Sequence, residues 1–407
     1  MKELVDGLVA GGWLPPSVPL WAWQLGAMLV FGGIVVFLFV LPVAGITTWV
    51  ERRIMARMQS RIGPNRTGPI GFLQWLADGV KNLLKEDIVP AAADAPLFRA
   101  APYVVTLGFV ATFAALPFSS ALVIADLNVG ILYVTAVTAL VVVGILMAGW
   151  SSNNKWSLLG GVRSAAQIVS YEIPAGLSIF PVVLLAGTLS MQGIIAAQGA
   201  APWTWFVFDN PFTLCAFLVL FVSSLAEGNR TPFDLPEAES ELVAGFATEY
   251  SGMRNLLFFM AEWGNLYVIG AVATTLFLGG WQIPWALEGQ PVLRNALQLA
   301  TFVLKASVMG ILLPIWLRWT LPRIRVDQMM VMCWKYLVPI ALVNLLGTAA
   351  WAVAFPAGVP AVRVALLALF CVAAALFVRR VVFHLRSAKL TRAHLSFNPL
   401  ATARSPG

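Results

Sequence analysis

The strongest constraint in this sequence is the length of its apolar runs. Stretches such as "LVVVGILMAGW" and "VALLALFCVAAALFV" carry no charge and no alternation of polar and apolar positions. About 20 such residues make a helix long enough to cross the hydrocarbon core of a bilayer. No water reaches backbone polar groups there, so the chain must satisfy them internally, as helix. The charged fraction agrees: 11%, with 59% hydrophobic residues, against about a quarter charged in soluble domains. The pattern predicts an all-α, polytopic integral membrane protein that forms one membrane domain over 1–407. Nine spans are expected, near 21–49, 100–119, 130–150, 163–187, 211–227, 254–280, 296–318, 334–355 and 362–382. The first lacks a small-residue cleavage pattern and reads as a retained helix rather than a signal peptide.

The basic residues fix an orientation, because cytoplasmic loops are rich in Lys and Arg. Twenty-two of the twenty-six fall on one side: eight in 50–99, eight in the loops near 155, 230–254 and 318–335, and six in the tail from Arg379. The other side holds only Lys2, Arg294 and Arg363, and Lys305 lies inside a span. This alternation predicts the N-terminus outside and the C-terminus cytoplasmic. Topology accounts for most of the positive charge, so no nucleic-acid partner is implied. Cys215, Cys333, Cys371, His384 and His394 are scattered and form no haem, iron–sulfur or zinc motif. If the chain serves a redox process, other subunits carry the electrons.

Two cytoplasmic segments are too long to be connectors. Within 50–99, Gln74, Asp78, Lys81 and Lys85 fall at helical spacing, with Ile70, Leu73, Leu76, Val80, Leu83 and Leu84 on the remaining face. That pattern predicts an amphipathic helix lying in the membrane interface, and an ordinary surface helix fits it equally well. The second segment begins "EGNRTPFDLPEAESE" and packs five of the nineteen acids into fifteen residues, Glu227 to Glu241. Pro232 and Pro236 stop the fifth span, and Pro236 suits the first position of a new helix. Glu237, Glu239 and Glu241 then complement that helix's dipole, with Asp234 helping to cap it. Glu227, before the break, has no such explanation.

Glu172, Glu262 and Lys305 sit in mid-span, where each costs about 2.5–3.5 kcal/mol. A buried ion pair of Lys305 with Glu172 or Glu262 is the structural account. An ion path is the functional one, since close carboxylates share protons. Pro174 and Pro181 would kink the fourth span beside Glu172. The residues alone reach a chain of acids that leads from a cytoplasmic cap into the membrane and suits proton transfer.

"EGNRTPFDLPEAESELVAGFATEYSGMRNLLFFMAEW" and "MQSRIGPNRTGPIGFLQWLADGVKNLLKED", with "RSAAQIVSYE", "RWTLPRIRVDQMM" and "CWKYLVP", resemble the H-subunit family of respiratory NADH:quinone oxidoreductase, complex I. The likeness covers roughly 20–355, an eight-span family core. The ninth span and the basic tail, 356–407, lie beyond it. The resemblance implies a translocase subunit with no redox centre and no bound cofactor of its own. It implies a quinone as substrate, FMN and iron–sulfur clusters in partner subunits, and contacts with peripheral quinone-site subunits, antiporter-like membrane subunits and lipid. Carried over by motif, Arg52, Arg61, Asp78, Arg230, Phe233, Asp234, Arg318 and Arg323 would line or support a quinone chamber. Glu237, Glu239, Glu241, Glu227, Glu172 and Glu262 would form a proton relay leaving it. A bacterial plasma membrane is the expected location. Two rivals remain: the membrane anchor of an energy-converting hydrogenase, which "EAESELVAGF" disfavours, and a stand-alone ion antiporter, for which no inverted repeat is visible. A purely structural anchor leaves the intramembrane acids without a reason.

Overall fold

The computed structural model describes residues 19–236, 239–284, 290–356 and 358–394. They are helical, with no strand among them. Helix α1 runs through Leu20–Val35, a π-helical turn at Val36–Val40, and Leu41–Met58. The amphipathic segment forms α2 (Gln74–Leu84), shorter than its periodicity allows because Gly68 and Gly71 turn the chain ahead of it. Then come α3 (Ala95–Thr112), α4 (Gly130–Ser151), α5 (Lys155–Ala186), the short α6 (Met191–Ala197) and α7 (Pro211–Glu227). A single turn, α8 (Glu239–Leu242), precedes α9 (Gly252–Phe277). Helix α10 joins Pro291–Ser307, a π-helical turn Val308–Leu312 and Leu313–Arg318. Helix α11 likewise joins Val326–Val331, Met332–Leu337 and Val338–Ala354, and α12 is Pro360–His394.

Eight of these helices are long and apolar enough to cross a membrane, and α7, with 17 residues, is a shorter apolar helix. The nine expected spans are those eight and α7. Helix α7 is short because both ends are fixed. Asn210 and Thr213 form a reciprocal capping box at its start, and Asn229 takes a left-handed conformation just after its end (φ 49°). Helix α1 corrects the expected boundary in the other direction. It continues past its apolar run to Met58 and so carries Glu51, Arg52 and Arg53 on helix. The kinks expected at Pro174 and Pro181 do not interrupt α5, which stays helical through both. Pro236 does not open a described helix: it sits in a turn, and α8 starts at Glu239. Glu237 lies outside the described residues, as does the side chain of Glu239.

Two packing centres hold the spans. Phe39 of α1, Phe113 and Phe118 after α3, and Tyr267 of α9 meet edge-to-face or stacked, with ring centroids 5.3–6.5 Å apart. Tyr171 of α5, Phe233, and Met329 and Cys333 of α11 form the second, and Tyr171 Oη donates to the Met329 carbonyl (3.0 Å). Helix α12 stands largely outside this core. It is held by an ion pair of Arg363 with Asp209 and by Phe370 and Phe377 against Phe208 and Trp316.

Helices α9 and α10 come together backbone to backbone at Gly270 and Gly310. A Cβ on Gly270 would lie 2.7 Å from the Gly310 Cα and collide with the Ala306 carbonyl. Gly270→Val therefore forces the helices apart, at about 1–3 kcal/mol. The variant is expected to lower the thermal midpoint of the assembled complex. Gly79→Ala on α2, where a Cβ meets nothing within 4 Å and alanine favours the helix, is expected not to lower that midpoint.

Candidate functional site: a buried ion network and two cavities

The segment after α7 carries most of the chemistry, and α5 holds it in place. Gln167 Nε2, fully buried, contacts the carbonyls of Ala226 and Phe233 (2.8 Å each) and Asn229 Oδ1 (3.1 Å). This one amide therefore ties the end of α7 to the Pro232–Pro236 turn. Arg230 lies between these tied residues, and its side chain is only 3% exposed.

A charge this deep needs partners. Arg230 Nη2 lies 2.9 Å from Glu262 Oε1, and Nη1 lies 3.9 Å from Glu51 Oε1. Its guanidinium also stacks 3.8 Å from the ring centroid of Trp263. Arg318 Nη1 donates to the same Glu51 oxygen (2.9 Å). Four elements thus meet at two arginines and two carboxylates: α1, the turn after α7, α9 and the end of α10. Glu51 is a residue that sequence reasoning misses. Its only signal is its place directly after an apolar run, where it reads as an interfacial charge.

A second pair of contacts flanks this network. Arg52 Nη1 is 2.5 Å from Asp78 Oδ2, and Gln74 Nε2 donates to Asp78 Oδ1 (3.1 Å). The polar stripe of α2 therefore faces α1, while Leu76, Val80, Leu83 and Leu84 stay exposed, the geometry an interfacial helix requires. Arg323 pairs with Asp234 (3.2 Å); the backbone that Asp234 is expected to cap includes residues outside those described. Phe233 is buried edge-on against Tyr171 (5.4 Å). Arg61 is exposed and lies by the Met55 sulfur (3.4 Å), apart from the others. Glu241 pairs with Arg163 (2.6 Å) at the surface.

The three intramembrane carboxylates are linked by space rather than by direct bonds. Glu227 and Glu262 line one cavity of about 40 Å3, with Asn255 and Asn265. Asn265 Oδ1 is buried there without a hydrogen-bond partner among the described residues. Glu227 and Glu172 line a second cavity of about 370 Å3 between α4, α5, α7 and α9, with Ser224, Thr135 and Thr138 among aliphatic side chains. Glu227 borders both. The ion pair considered for Lys305 does not form. Its ammonium bonds the carbonyls of Leu278 and Gly280 (2.8 and 3.1 Å), far along α9 from Glu262.

Comparison with known proteins gives the family. Residues 31–349 match the model of the NADH dehydrogenase family. The NADH-quinone oxidoreductase H subunit of Anaeromyxobacter dehalogenans is 57% identical over 360 residues, covering 85% of this chain and 86% of that protein. The corresponding H subunits of Chlorobaculum tepidum and Chlorobium luteolum are 51% and 46% identical over 310 and 352 residues. They cover 74% and 85% of this chain, and 86% and 93% of their own lengths. The chain belongs to the H-subunit family of NADH-quinone oxidoreductase. It is an integral membrane subunit of a multi-subunit oxidoreductase, complex I, and no described group of three or more His, Cys, Asp or Glu side chains is arranged to hold a metal ion.

In this complex I component, Arg230 neutralises Glu262. Arg230→Met leaves that carboxylate buried and unpaired, at about 3–5 kcal/mol. Arg318→Met is milder, because Glu51 keeps Arg230 nearby. The amount of assembled complex on native gels is expected to fall more for Arg230→Met than for Arg318→Met.

Proposed function

We propose that this chain forms one wall of a quinone chamber and passes the consequence of quinone reduction to the membrane arm as proton movement. The wall consists of Arg52, Asp78, Asp234, Arg323, Arg318 and Arg230, with Phe233 as a buried support and Arg61 at its rim. These side chains converge from α1, α2, the turn after α7 and the end of α10. The exposed apolar face of α2 and the first span would frame the entrance from the bilayer. The quinone is the substrate. FMN and iron–sulfur clusters belong to partner subunits, which also complete the chamber. The plasma membrane of a bacterium, with the N-terminus outside, is the location that fits the basic loops. The helix at 360–394 is an addition to an eight-span core.

The relay runs from Glu237, Glu239 and Glu241, the last of them at the surface, through Glu227, with Glu262 on one side and Glu172 on the other. The observation that carries this reading is that Glu227 borders both cavities. A site of about 40 Å3 has room for water, since one needs roughly 10–15 Å3 and polar partners, and Asn265 Oδ1 supplies one such partner. Water there would connect Glu227 with Glu262. The ion network gives the coupling its physical basis. Quinone reduction consumes protons and alters charge beside Arg318 and Arg230. Glu51 and Glu262 share Arg230, so a change at one carboxylate shifts the other's affinity for a proton.

Glu227→Gln tests this, because it removes the charge and keeps the shape. In membranes, NADH oxidation by a hydrophilic artificial acceptor is expected to stay at the wild-type rate, while quinone reduction or proton translocation falls severalfold or more. Wild-type rates of both would make Glu227 a structural carboxylate and break the relay at its centre.

A further inference from the structure

Lys305 stands apart from the carboxylate relay, at the end of α9 distant from Glu262. No carboxylate forms an ion pair with it among the described residues, and its partners are the carbonyls of Leu278 and Gly280. The ammonium also lies 4.4 Å from the ring centroid of Trp205. These three groups match a primary ammonium: two N–H donors to carbonyl oxygens, and the third toward the negative face of an indole.

The site is built, and its construction is local. Helix α9 ends at Phe277; the Thr274 carbonyl still accepts from Leu278 N and Gly280 N (3.1 and 3.0 Å), and the helix end carries the negative end of the dipole. Gly279 and Gly280 follow with φ of 70° and 51°, and this left-handed pair turns the carbonyls of residues 278 and 280 toward one point. Gln198 fixes the turn: its Oε1 accepts from Gly279 N (2.9 Å), and its Nε2 donates to the carbonyls of Thr275 (3.0 Å) and Leu276 (3.2 Å). A Cβ on Gly279 would lie 2.6 Å from Trp205 Nε1, so only glycine lets the indole close over the site. The stem of Lys305 enters from α10.

We propose that the end of α9, Gly279–Gly280 and Trp205 form a binding site for a primary ammonium, which Lys305 fills with its own side chain. The ligand class is the small unbranched alkylammonium ion. Filled by Lys305, the site neutralises the end of α9 and ties α10 to the loops at 198–205 and 278–282. It does not depend on the relay.

Chemical rescue tests it in the whole complex. Lys305→Ala deletes Cγ, Cδ, Cε and Nζ, whose free equivalent is n-propylammonium. The thermal midpoint of the complex in membranes is expected to fall in the variant. It should recover with n-propylammonium, recover less with methylammonium, and not recover with tetramethylammonium, which has no N–H to donate, at equal ionic strength. The wild-type midpoint should not respond to any of these. Recovery with potassium as complete as with n-propylammonium would overturn the ammonium assignment in favour of a carbonyl metal-cation cage. An unchanged midpoint in the variant, or a fall that no amine reverses, would overturn the site itself. If the alanine variant does not assemble, Lys305→Met keeps the stem volume, and ammonium itself is then the complement. Failure of both to assemble, even with these amines in the growth medium, would also count against the proposal.

Discussion

Burying the guanidinium of Arg230 constrains the rest of this structure. Its desolvation must be offset by charge at close range, and the compensation comes from Glu262 on one side and Glu51 on the other. Those acids sit on α9 and α1, helices far apart in sequence. Meeting Arg230 therefore fixes how the first and sixth spans approach each other. Arg318 brings in the end of α10, and Gln167 brings in α5 through the backbone of the turn. An ion network at the meeting point of four elements sets their register and, in the same stroke, takes in Glu262 of the proposed relay. Structural and functional demands here fall on the same side chains.

Helix-terminus chemistry explains how a greasy chain tolerates its other charges. Asp78 and Arg52 pair where α1 has passed beyond its apolar run, so neither is taken from water into lipid. Lys305 is the opposite case, a cation in mid-span. Among the described residues its partners are two carbonyls just past the end of a neighbouring helix, and no acid. The cost of a buried ammonium is set by donors satisfied and local field, and a helix C-terminus supplies both.

The spans are legible in the sequence because lipid demands an unbroken apolar stretch, and that demand leaves a one-dimensional trace. The acids near 227–241 are legible too, since five of nineteen in fifteen residues is a visible concentration. The long-range contacts around them are not. Glu51 reads as an ordinary interfacial charge until α1 is seen to stay helical through Met58. Gln167 is an unremarkable amide whose role depends on two carbonyls some sixty residues away. Lys305 suggests an acidic partner because carbonyl acceptors carry no sequence signature. Pro236 is a sound local choice for a helix start, yet it sits in a turn tied back to Gln167, and the described helix begins at Glu239. Local rules thus locate the elements, and long-range polar contacts decide the site.

Coupling through Glu172, Glu227 and Glu262 requires that they act in series, and serial order is measurable. A double-substitution cycle of Glu172→Gln and Glu227→Gln, read as protons translocated per NADH oxidised, tests it most directly. In a single path, blocking a second step adds nothing, so the double variant should be no worse than the more impaired single variant. Losses that multiply would mean that the two carboxylates act independently, and the relay through Glu227 would be contradicted.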